Sequence, residues 1–225
     1  MIKAQNLKYQ IPYGAIILDD INFEIGKGEF VGLLGHNGSG KTTLMDLIMG
    51  FRGITSGSLE VLGEDPHSLI RERKKEISFI SQDVVIKGNI TIADFLKFHS
   101  ILYPQYSKSA EEYFLDVFKL SSETKVATLS LGQQRKVQII AGLSSKAKLI
   151  LIDEITAVLD PETRETFFIE LKKYQLENDA TIVLATNIAE DLLLRADRVL
   201  FIRSGKVSIH SPDEILKLFN IEKVA

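Results

Sequence analysis

Residues 35–42 constrain the fold of this chain more than any other segment. They read Gly-His-Asn-Gly-Ser-Gly-Lys-Thr and fit the pattern G-x-x-x-x-G-K-[ST]. An apolar run over residues 30–34 precedes them, and a helix-like run over residues 43–49 follows. A loop of this pattern between a strand and a helix wraps the phosphates of a nucleoside triphosphate. The segment therefore predicts a P-loop in a nucleotide-binding α/β protein.

The residue types in this loop match what phosphate binding requires. Gly35, Gly38 and Gly40 allow positive φ and a close approach of backbone N–H groups to phosphate oxygens. We expect Lys41 to reach the β- and γ-phosphates of a nucleoside triphosphate and Thr42 to offer its hydroxyl to Mg²⁺. Further contacts with the nucleotide are expected from Asn37, Ser39 and Thr43.

Composition narrows the class of protein. Apolar residues make up 45% of the 225 residues and charged residues 25%, as in ordinary globular chains. The formal net charge of −3 does not favour nucleic acid as a partner. Cysteine is absent, which excludes disulfides and thiolate metal sites and is compatible with a reducing cytosol. No stretch approaches the ~20 apolar residues of a membrane span, and we expect no secretion signal.

Two kinds of strand are predicted. Polar and apolar side chains alternate over residues 18–25, which indicates an antiparallel strand with one exposed face and with Leu18 on the polar face. Residues 30–34, 149–152 and 181–185 are nearly continuous apolar runs, as in parallel strands that are buried on both faces. The sequence therefore predicts a mostly parallel sheet core and an antiparallel N-terminal β subdomain.

Helical patterns dominate the segment between the strand-like residues 77–80 and residue 149. Capping sequences predict helix starts at Ser109 and at Ser211. We expect an α-helical subdomain inserted into the nucleotide-binding core. Within a single domain, 1–225, the predicted parts are a core of residues 1–82 and 146–225 and a helical subdomain of residues 83–145.

Two carboxylates follow the apolar run that ends at residue 152. Asp153 and Glu154 come where the carboxyl end of a buried strand is predicted, the edge at which open α/β sheets bind ligands. Asp153 is suited to hold Mg²⁺ through water, and Glu154 is suited to polarise an attacking water as a general base. This second motif predicts hydrolysis in addition to binding.

A third motif precedes Asp153. Residues 129–133 read Leu-Ser-Leu-Gly-Gln and resemble the LSGGQ signature of ATP-binding cassette (ABC) ATPases, with Leu131 in place of the first glycine. A serine hydroxyl and glycine N–H groups at a helix N-terminus form an anion site. The resemblance implies that Ser130, Gly132 and Gln133 close over the γ-phosphate of an ATP held by the opposite subunit of a dimer.

Further residues match this family's landmarks in order along the chain. The resemblance implies that Gln82 contacts Mg²⁺ and the attacking water, and that Asp160 bridges two subunits near the site. It also implies that Tyr13 stacks on adenine, with Tyr9 as the weaker candidate. An ordinary core or surface aromatic is the alternative for either tyrosine.

One catalytic position departs from the family pattern. Asn187 stands where the family has a switch histidine. An asparagine amide donates a hydrogen bond to a γ-phosphate, but it carries no charge and shuttles no proton. We therefore expect slow hydrolysis, with closure of an ATP-bound dimer retained.

The resemblance implies an ATP-hydrolysing subunit that dimerises around two ATP and drives a separate integral membrane permease from the cytoplasmic face of the membrane. Coupling is expected through a groove beside Gln82 and residues 83–102. The short segment from Gln82 to the signature, together with residues 103–106, favours an exporter-type system. Two alternatives stay open: a weakened cassette paired with a different ABC ATPase in a heterodimer, and a non-transport switch protein.

Overall fold

The computed structural model describes residues 1–68, 71–82, 88–193 and 195–219. Packing divides the chain into two compact units. The first comprises Met1–Arg73 and Thr181–Ala225, and the second comprises Lys74–Ala180. The predicted boundary at residue 83 lies outside the described residues, so the division into core and helical subdomain stays a prediction.

The first unit contains an antiparallel sheet and a mostly parallel one. The antiparallel sheet has the order β2-β1-β4, with the bounds β1 Ile2–Gln10, β2 Ile16–Ile25 and β4 Ser56–Val61. In the other sheet β3 pairs in parallel with β7 and with β8, and β9 runs antiparallel to β8. Their bounds are β3 Phe30–Leu34, β7 Thr181–Thr186, β8 Arg198–Arg203 and β9 Lys206–His210. Two helices complete this unit, α1 (Lys41–Ile48) and α7 (Pro212–Phe219).

The described residues of the second unit form two parallel strands and four long helices. Strand β5 (Ile77–Ser81) pairs with β6 (Leu149–Asp153). The helices are α3 Ile92–Leu102, α4 Lys108–Val117, α5 Leu131–Ser144 and α6 Pro161–Asn178. A short helix, α2 (Arg71–Lys74), contains the sequence boundary between the two units.

The predicted parallel strands are confirmed. Every residue of β3, β6 and β7 is buried, as expected for strands covered on both faces. The predicted antiparallel strand is also confirmed as β2, which pairs with β1 and alternates between buried and exposed from Ile21 to Ile25.

The predicted alternation is wrong at Leu18. This side chain is fully buried, whereas the pattern placed it on the polar face. Asp20 has φ 57°, and Tyr9 pairs with Leu18 while Leu7 pairs with Ile21, so β2 carries one residue more than β1 between these pairs. Such a bulge reverses the faces of the residues before it, because side chains in a strand alternate with period two.

One predicted helix start is confirmed and the other is wrong by two residues. Ser211 caps α7, with its N–H donating to Glu214 at 2.7 Å and its Oγ accepting from the Glu214 N–H at 3.3 Å. Helix α4 is capped by Ser107 instead of Ser109, since the Ser107 Oγ accepts from the N–H of Ala110 at 3.2 Å. The cap lies earlier because the Ser107 N–H donates to the Ser144 carbonyl at 2.8 Å, which fixes where the chain enters the helix.

No helix in the four described ranges is long and apolar enough to cross a bilayer.

Two glycines provide a matched test of a close backbone approach in the first unit. Gly57 and Gly63 both have φ 83°. A Cβ on Gly57 would lie 2.2 Å from the Asn6 carbonyl oxygen, whereas a Cβ on Gly63 would meet no described heavy atom within 4 Å beyond its chain neighbours. We expect Gly63→Ala to lower the free energy of unfolding by about 1 kcal/mol from backbone strain. Gly57→Ala should cost a further 1–3 kcal/mol, roughly, from overpacking.

Chemical denaturation of the two variants and the wild type measures this difference. Equal destabilisation of the two variants would show that strand β4 moves away from Asn6 at little cost.

Candidate functional site

The loop over residues 35–42 connects β3 to α1 and is folded around Lys41. The Lys41 side chain is only 3% exposed. Its Nζ donates to the carbonyl of Gly35 at 2.7 Å and to the carbonyl of His36 at 3.0 Å. These bonds hold the loop in a closed turn around the ammonium group.

The geometry of this loop fits a phosphate chain. Helix α1 is preceded by Gly40, with φ 107°, which offers no side chain to cap the helix. The N–H groups of the first helical turn therefore face the loop, where they attract anions. At Gly38 a Cβ would meet no described heavy atom within 4 Å beyond its chain neighbours, so this side of the loop is open. The side chain of Thr42 is exposed at the same end of the helix.

Gly35 is needed for a different reason. A Cβ at this position would lie 2.5 Å from the Ser39 Oγ and 2.7 Å from the Ile202 carbonyl oxygen. The Ser39 Oγ is buried and lacks a hydrogen-bond partner among the residues that the structure describes. A buried hydroxyl without a partner inside a phosphate-type loop is consistent with a ligand that supplies one.

Asn187 lies next to the P-loop. It directly follows β7, and its Nδ2 donates to the Oδ1 of Asn37 at 3.0 Å. The turn after β7 is held by Thr186, whose Oγ1 accepts from the Ile188 N–H at 3.0 Å and donates to Asp191 at 3.1 Å. The fold thus brings the predicted switch residue to the predicted phosphate loop.

The two tyrosines considered for adenine stacking have opposite environments. Tyr9 is buried, its hydroxyl accepts from Arg52 at 3.2 Å, and the Arg52 guanidinium lies 5.9 Å from its ring centre. Tyr13 is fully exposed, with φ 58°, in the turn before β2. At the start of β2, Ile17 borders the loop glycine Gly40, whose Cβ position lies 3.3 Å from the Ile17 Cγ2. Only Tyr13 has a free ring face, and its role stays a prediction.

In the second unit the ends of two strands bring Gln82 and Glu154 together. The last residue of β5, Ser81, is the partner of Asp153 in β6. One residue further, the Gln82 N–H donates to the Asp153 carbonyl at 3.1 Å, and the Gln82 Nε2 donates to Glu154 Oε2 at 3.2 Å. Glu154 has φ 51°, a strained conformation for a residue with a side chain. Strain of this kind persists where the surrounding structure fixes a residue, as at functional sites.

The environment of Asp153 fits a ligand of Mg²⁺. Its side chain is fully buried at the carboxyl end of β6, the edge at which open α/β sheets bind ligands. Across the described part of the chain, no group of three or more acidic or histidine side chains is arranged to hold a metal ion. Mg²⁺ does not need such a group, because it binds through one or two protein ligands together with substrate phosphates and water.

Ser130 and Gln133 form a capping box at the start of α5. The Ser130 N–H donates to Gln133 Oε1 at 2.9 Å, and the Gln133 N–H donates to Ser130 Oγ at 3.3 Å. The Ser130 Oγ acts as an acceptor in this box, so its own hydrogen is available for an anion. Leu131 is 50% exposed, and Gly132 lies against the carbonyl of Val158, 3.4 Å from its Cβ position.

Asp160 caps α6. Its carboxylate accepts from the Thr163 hydroxyl at 2.6 Å and from the Thr163 N–H at 2.9 Å. These hydrogen bonds hold the pKa of the Asp160 carboxyl below its usual value. Helix capping alone accounts for an aspartate at this position, and the predicted role at a subunit boundary stays a prediction.

Arg135 is a buried residue near the site that none of the sequence motifs includes. This residue of α5 is 4% exposed, and its guanidinium donates to the Gln82 carbonyl oxygen and, at 3.2 Å, to Gln138 Oε1. A signal was available, because residues 135, 138 and 142 recur at helical spacing on one face. Gly142 lies on this face against β5, since its Cβ position is 2.5 Å from the Ile80 Cδ1.

Comparison with known proteins identifies the family. A family model described as ABC transporter matches residues 18–157. The phosphonates import ATP-binding protein 1 of Halalkalibacterium halodurans is 31% identical over 247 residues, which cover 96% of this chain and 93% of the relative. The spermidine/putrescine import ATP-binding protein of Spiroplasma citri is 30% identical over 224 residues, which cover 96% of this chain.

Some relatives are longer than this chain. The chain spans 63% of the length of the Spiroplasma citri protein and 53% of the length of the spermidine/putrescine import ATP-binding protein of Haemophilus ducreyi.

Solved structures show the same fold. The ATP-binding subunit of an ABC transporter matches with a TM-score of 0.86 at 22% identity, covering 100% of this chain and 95% of that one. An ATP-binding cassette, solved as a dimer in a post-hydrolysis state with ADP and phosphate, matches with a TM-score of 0.81 at 24% identity, covering 94% of this chain and 99% of that one. The match to the family model over residues 18–157 and the relative at 31% identity establish that the chain belongs to the ABC transporter family.

Proposed function

We propose that this chain is an ATP-binding and ATP-hydrolysing subunit of a transporter, acting with a separate integral membrane permease. The conformation of the P-loop carries the proposal. Lys41 is held by two loop carbonyls, and the N-terminus of α1 opens onto the loop without a side-chain cap. This arrangement is typical of loops that bind a polyphosphate together with its cation.

In the proposed reaction Glu154 is the general base. It takes a proton from the water that attacks the γ-phosphorus, as the bond from that phosphorus to the bridging oxygen breaks and ADP leaves. Gln82 fixes the carboxylate of Glu154 through their 3.2 Å hydrogen bond. Asp153 would bind Mg²⁺ through water, and Thr42 would offer its hydroxyl to the ion. A bound Mg²⁺ would supply charge stabilisation on the phosphate oxygens. Asn187 donates to the γ-phosphate, and Tyr13 stacks on adenine.

The proposed active form is a dimer around two ATP. Ser130, Gly132 and Gln133 of one chain supply the second anion site for the ATP of the other, and Asp160 lies at the boundary between the chains. The exposed Leu131 is compatible with this role if its side chain points away from the phosphate. A homodimer is the simplest form, and a heterodimer with another ABC ATPase is the alternative.

Exposed apolar side chains on α3 support docking to a membrane protein. Phe98 and Ile101 are both more than half exposed, and Leu102 is exposed at the end of the same helix. Exposed apolar clusters of this kind mark interaction sites. The proposed groove also includes residues 83–87, which lie outside the described residues. Docking here would hold the chain at the cytoplasmic face of the membrane.

The exporter-type interpretation has no support from the relatives. Two of them are named as import proteins, for spermidine/putrescine and for phosphonates. We therefore favour import as the direction of transport.

Affinity purification from detergent-solubilised membranes tests the proposed partnership. We expect a tagged chain to recover a membrane protein with several spans. Recovery of a second, different cassette with it would support the heterodimer. Recovery of soluble partners alone would contradict a role in transport and favour the alternative of a non-transport switch protein.

The proposed role of Asn187 can be tested through the pH dependence of kcat. An asparagine does not titrate, so residue 187 adds no step to the pH profile of kcat. We expect Asn187→His to add a step between about pH 5.5 and 7.5, where an imidazole titrates, and to raise the rate. Steady-state phosphate release from pH 5.5 to 8.5 measures this, with Asn187→Gln as the non-titrating control. Identical profiles for all three proteins would remove Asn187 from the site.

A further inference from the structure

Arg135 is a buried cation that contacts a catalytic segment from a different helix. It lies in the second turn of α5 and is 4% exposed. Its guanidinium donates to the backbone carbonyl of Gln82 and to the Gln138 side chain. Burying a charge is costly unless fixed partners compensate for it. A planar guanidinium provides two fixed donors at once, which an amine on a flexible stem does not.

Gln82 occupies a position where the strand ladder ends. The parallel pairing of β5 and β6 stops at Ser81 and Asp153. Beyond it, Gln82 donates through its N–H to the Asp153 carbonyl and through its side chain to Glu154, at 3.1 and 3.2 Å. Its own carbonyl accepts from Arg135. Arg135 and Asp153 therefore bind the two backbone polar groups of Gln82.

Helix α5 connects this contact to the signature segment, residues 129–133. Ser130 caps the helix, and Arg135 follows little more than one turn later. Two full turns beyond Arg135, on the same face, Gly142 is seated on Ile80 of β5. The helix is thus fixed to β5 at its far end, while Arg135 connects its near end to Gln82.

We propose that Arg135 is a positioning residue for hydrolysis. It holds the Gln82 backbone so that the Gln82 amide stays directed at Glu154, and it transmits the position of the signature segment to the general base. This inference rests on the proposed function, because it assigns a role within ATP hydrolysis.

A double-mutant cycle separates positioning from a structural contribution. Arg135→Lys keeps the positive charge and loses the planar guanidinium group with its two fixed donors. We expect it to lower kcat about 10- to 100-fold, as misplacement of a catalytic group does, with KM for ATP changed less than about threefold. In a Gln82→Ala background, where no amide is left to direct, we expect Arg135→Lys to lower kcat by less than about twofold. The loss in melting temperature caused by Arg135→Lys should be the same in both backgrounds.

If the two substitutions lower kcat by factors that simply multiply in the double mutant, the inference is overturned. In that case the effect of Arg135→Lys on kcat does not depend on Gln82 and is a general structural effect. Lys119→Met is the control for removal of a basic side chain in the same unit. Its only described ion pair, with Glu162, is exposed on both sides, so kcat should not change. If Arg135→Lys does not fold, Gln138→Met in the same cycle removes an acceptor of the guanidinium and keeps the charge, with an expected loss of about 3- to 10-fold.

Hydrogen exchange distinguishes failure of this inference from failure of the proposed function. Absence of phosphate release by the wild type would overturn the proposed function. The inference is then decided by the backbone amide of Gln82, which donates to Asp153. We expect this amide to exchange at least about tenfold faster in Arg135→Lys, with exchange in α5 unchanged. Unchanged exchange at Gln82 would overturn the positioning role.

Discussion

Lys41→Ala is expected to raise the Kd for ATP·Mg by at least about 100-fold. Lys41 is the buried cation of the P-loop, and its ammonium is aimed by the carbonyls of Gly35 and His36. A bound triphosphate loses a charged donor in the variant, and the loop loses the group around which it folds. Titration with a fluorescent ATP analogue at saturating Mg²⁺ measures the effect.

Lys3→Ala is the matched control for this variant. Lys3 lies in β1 of the same unit and is exposed, so its loss should leave the Kd unchanged. Thermal melting of both variants shows whether the loss of Lys41 unfolds the first unit. Tight binding by folded Lys41→Ala would refute the assignment of residues 35–42 as the phosphate site.

Glu154→Gln is expected to lower kcat about 10²- to 10⁴-fold and to leave ATP binding intact. The substituted amide has the shape of the carboxylate and still accepts from Gln82, but it does not take a proton from water. ATP therefore accumulates unhydrolysed in the site. We expect the variant to elute as a dimer in size-exclusion chromatography with saturating ATP and Mg²⁺, and as a monomer without nucleotide.

Glu112→Gln is the control for loss of a carboxylate, since Glu112 is exposed on α4 of the same unit. It should hydrolyse ATP at the rate of the wild type. Wild-type turnover in Glu154→Gln would move the general base to another residue, and a monomer at saturating ATP would count against the proposed dimer.

The parallel strands and the loop between β3 and α1 could be predicted because local sequence determines them. Short, continuous apolar runs of about four to six residues favour a strand covered on both faces over a buried helix, which needs more residues. The spacing of the P-loop glycines likewise sets a backbone path that few other residues permit. The same local rules predicted that Asp153 and Glu154 end a strand.

Features that depend on contacts distant in sequence could not be predicted. Leu18 is buried because a bulge at Asp20 changes the register with β1. Ser107 caps α4 because of a hydrogen bond to Ser144, which is 37 residues away in sequence. The contact of Arg135 with Gln82 forms only when α5 packs against β5, so helical spacing marks the face of Arg135 but not its partner. Contacts between segments distant in sequence determine each of these three features. The periodicity of a single segment contains no information about such contacts.

Steady-state phosphate release by the purified wild-type chain tests the central claim most directly. We predict saturable release from ATP that requires Mg²⁺ and falls to the blank in both Glu154→Gln and Lys41→Ala. A low rate that rises in Asn187→His would agree with a neutral switch residue. Release that never exceeds the Glu154→Gln level, in the wild type and in Asn187→His alike, would contradict the account of this chain as an ATP-hydrolysing subunit.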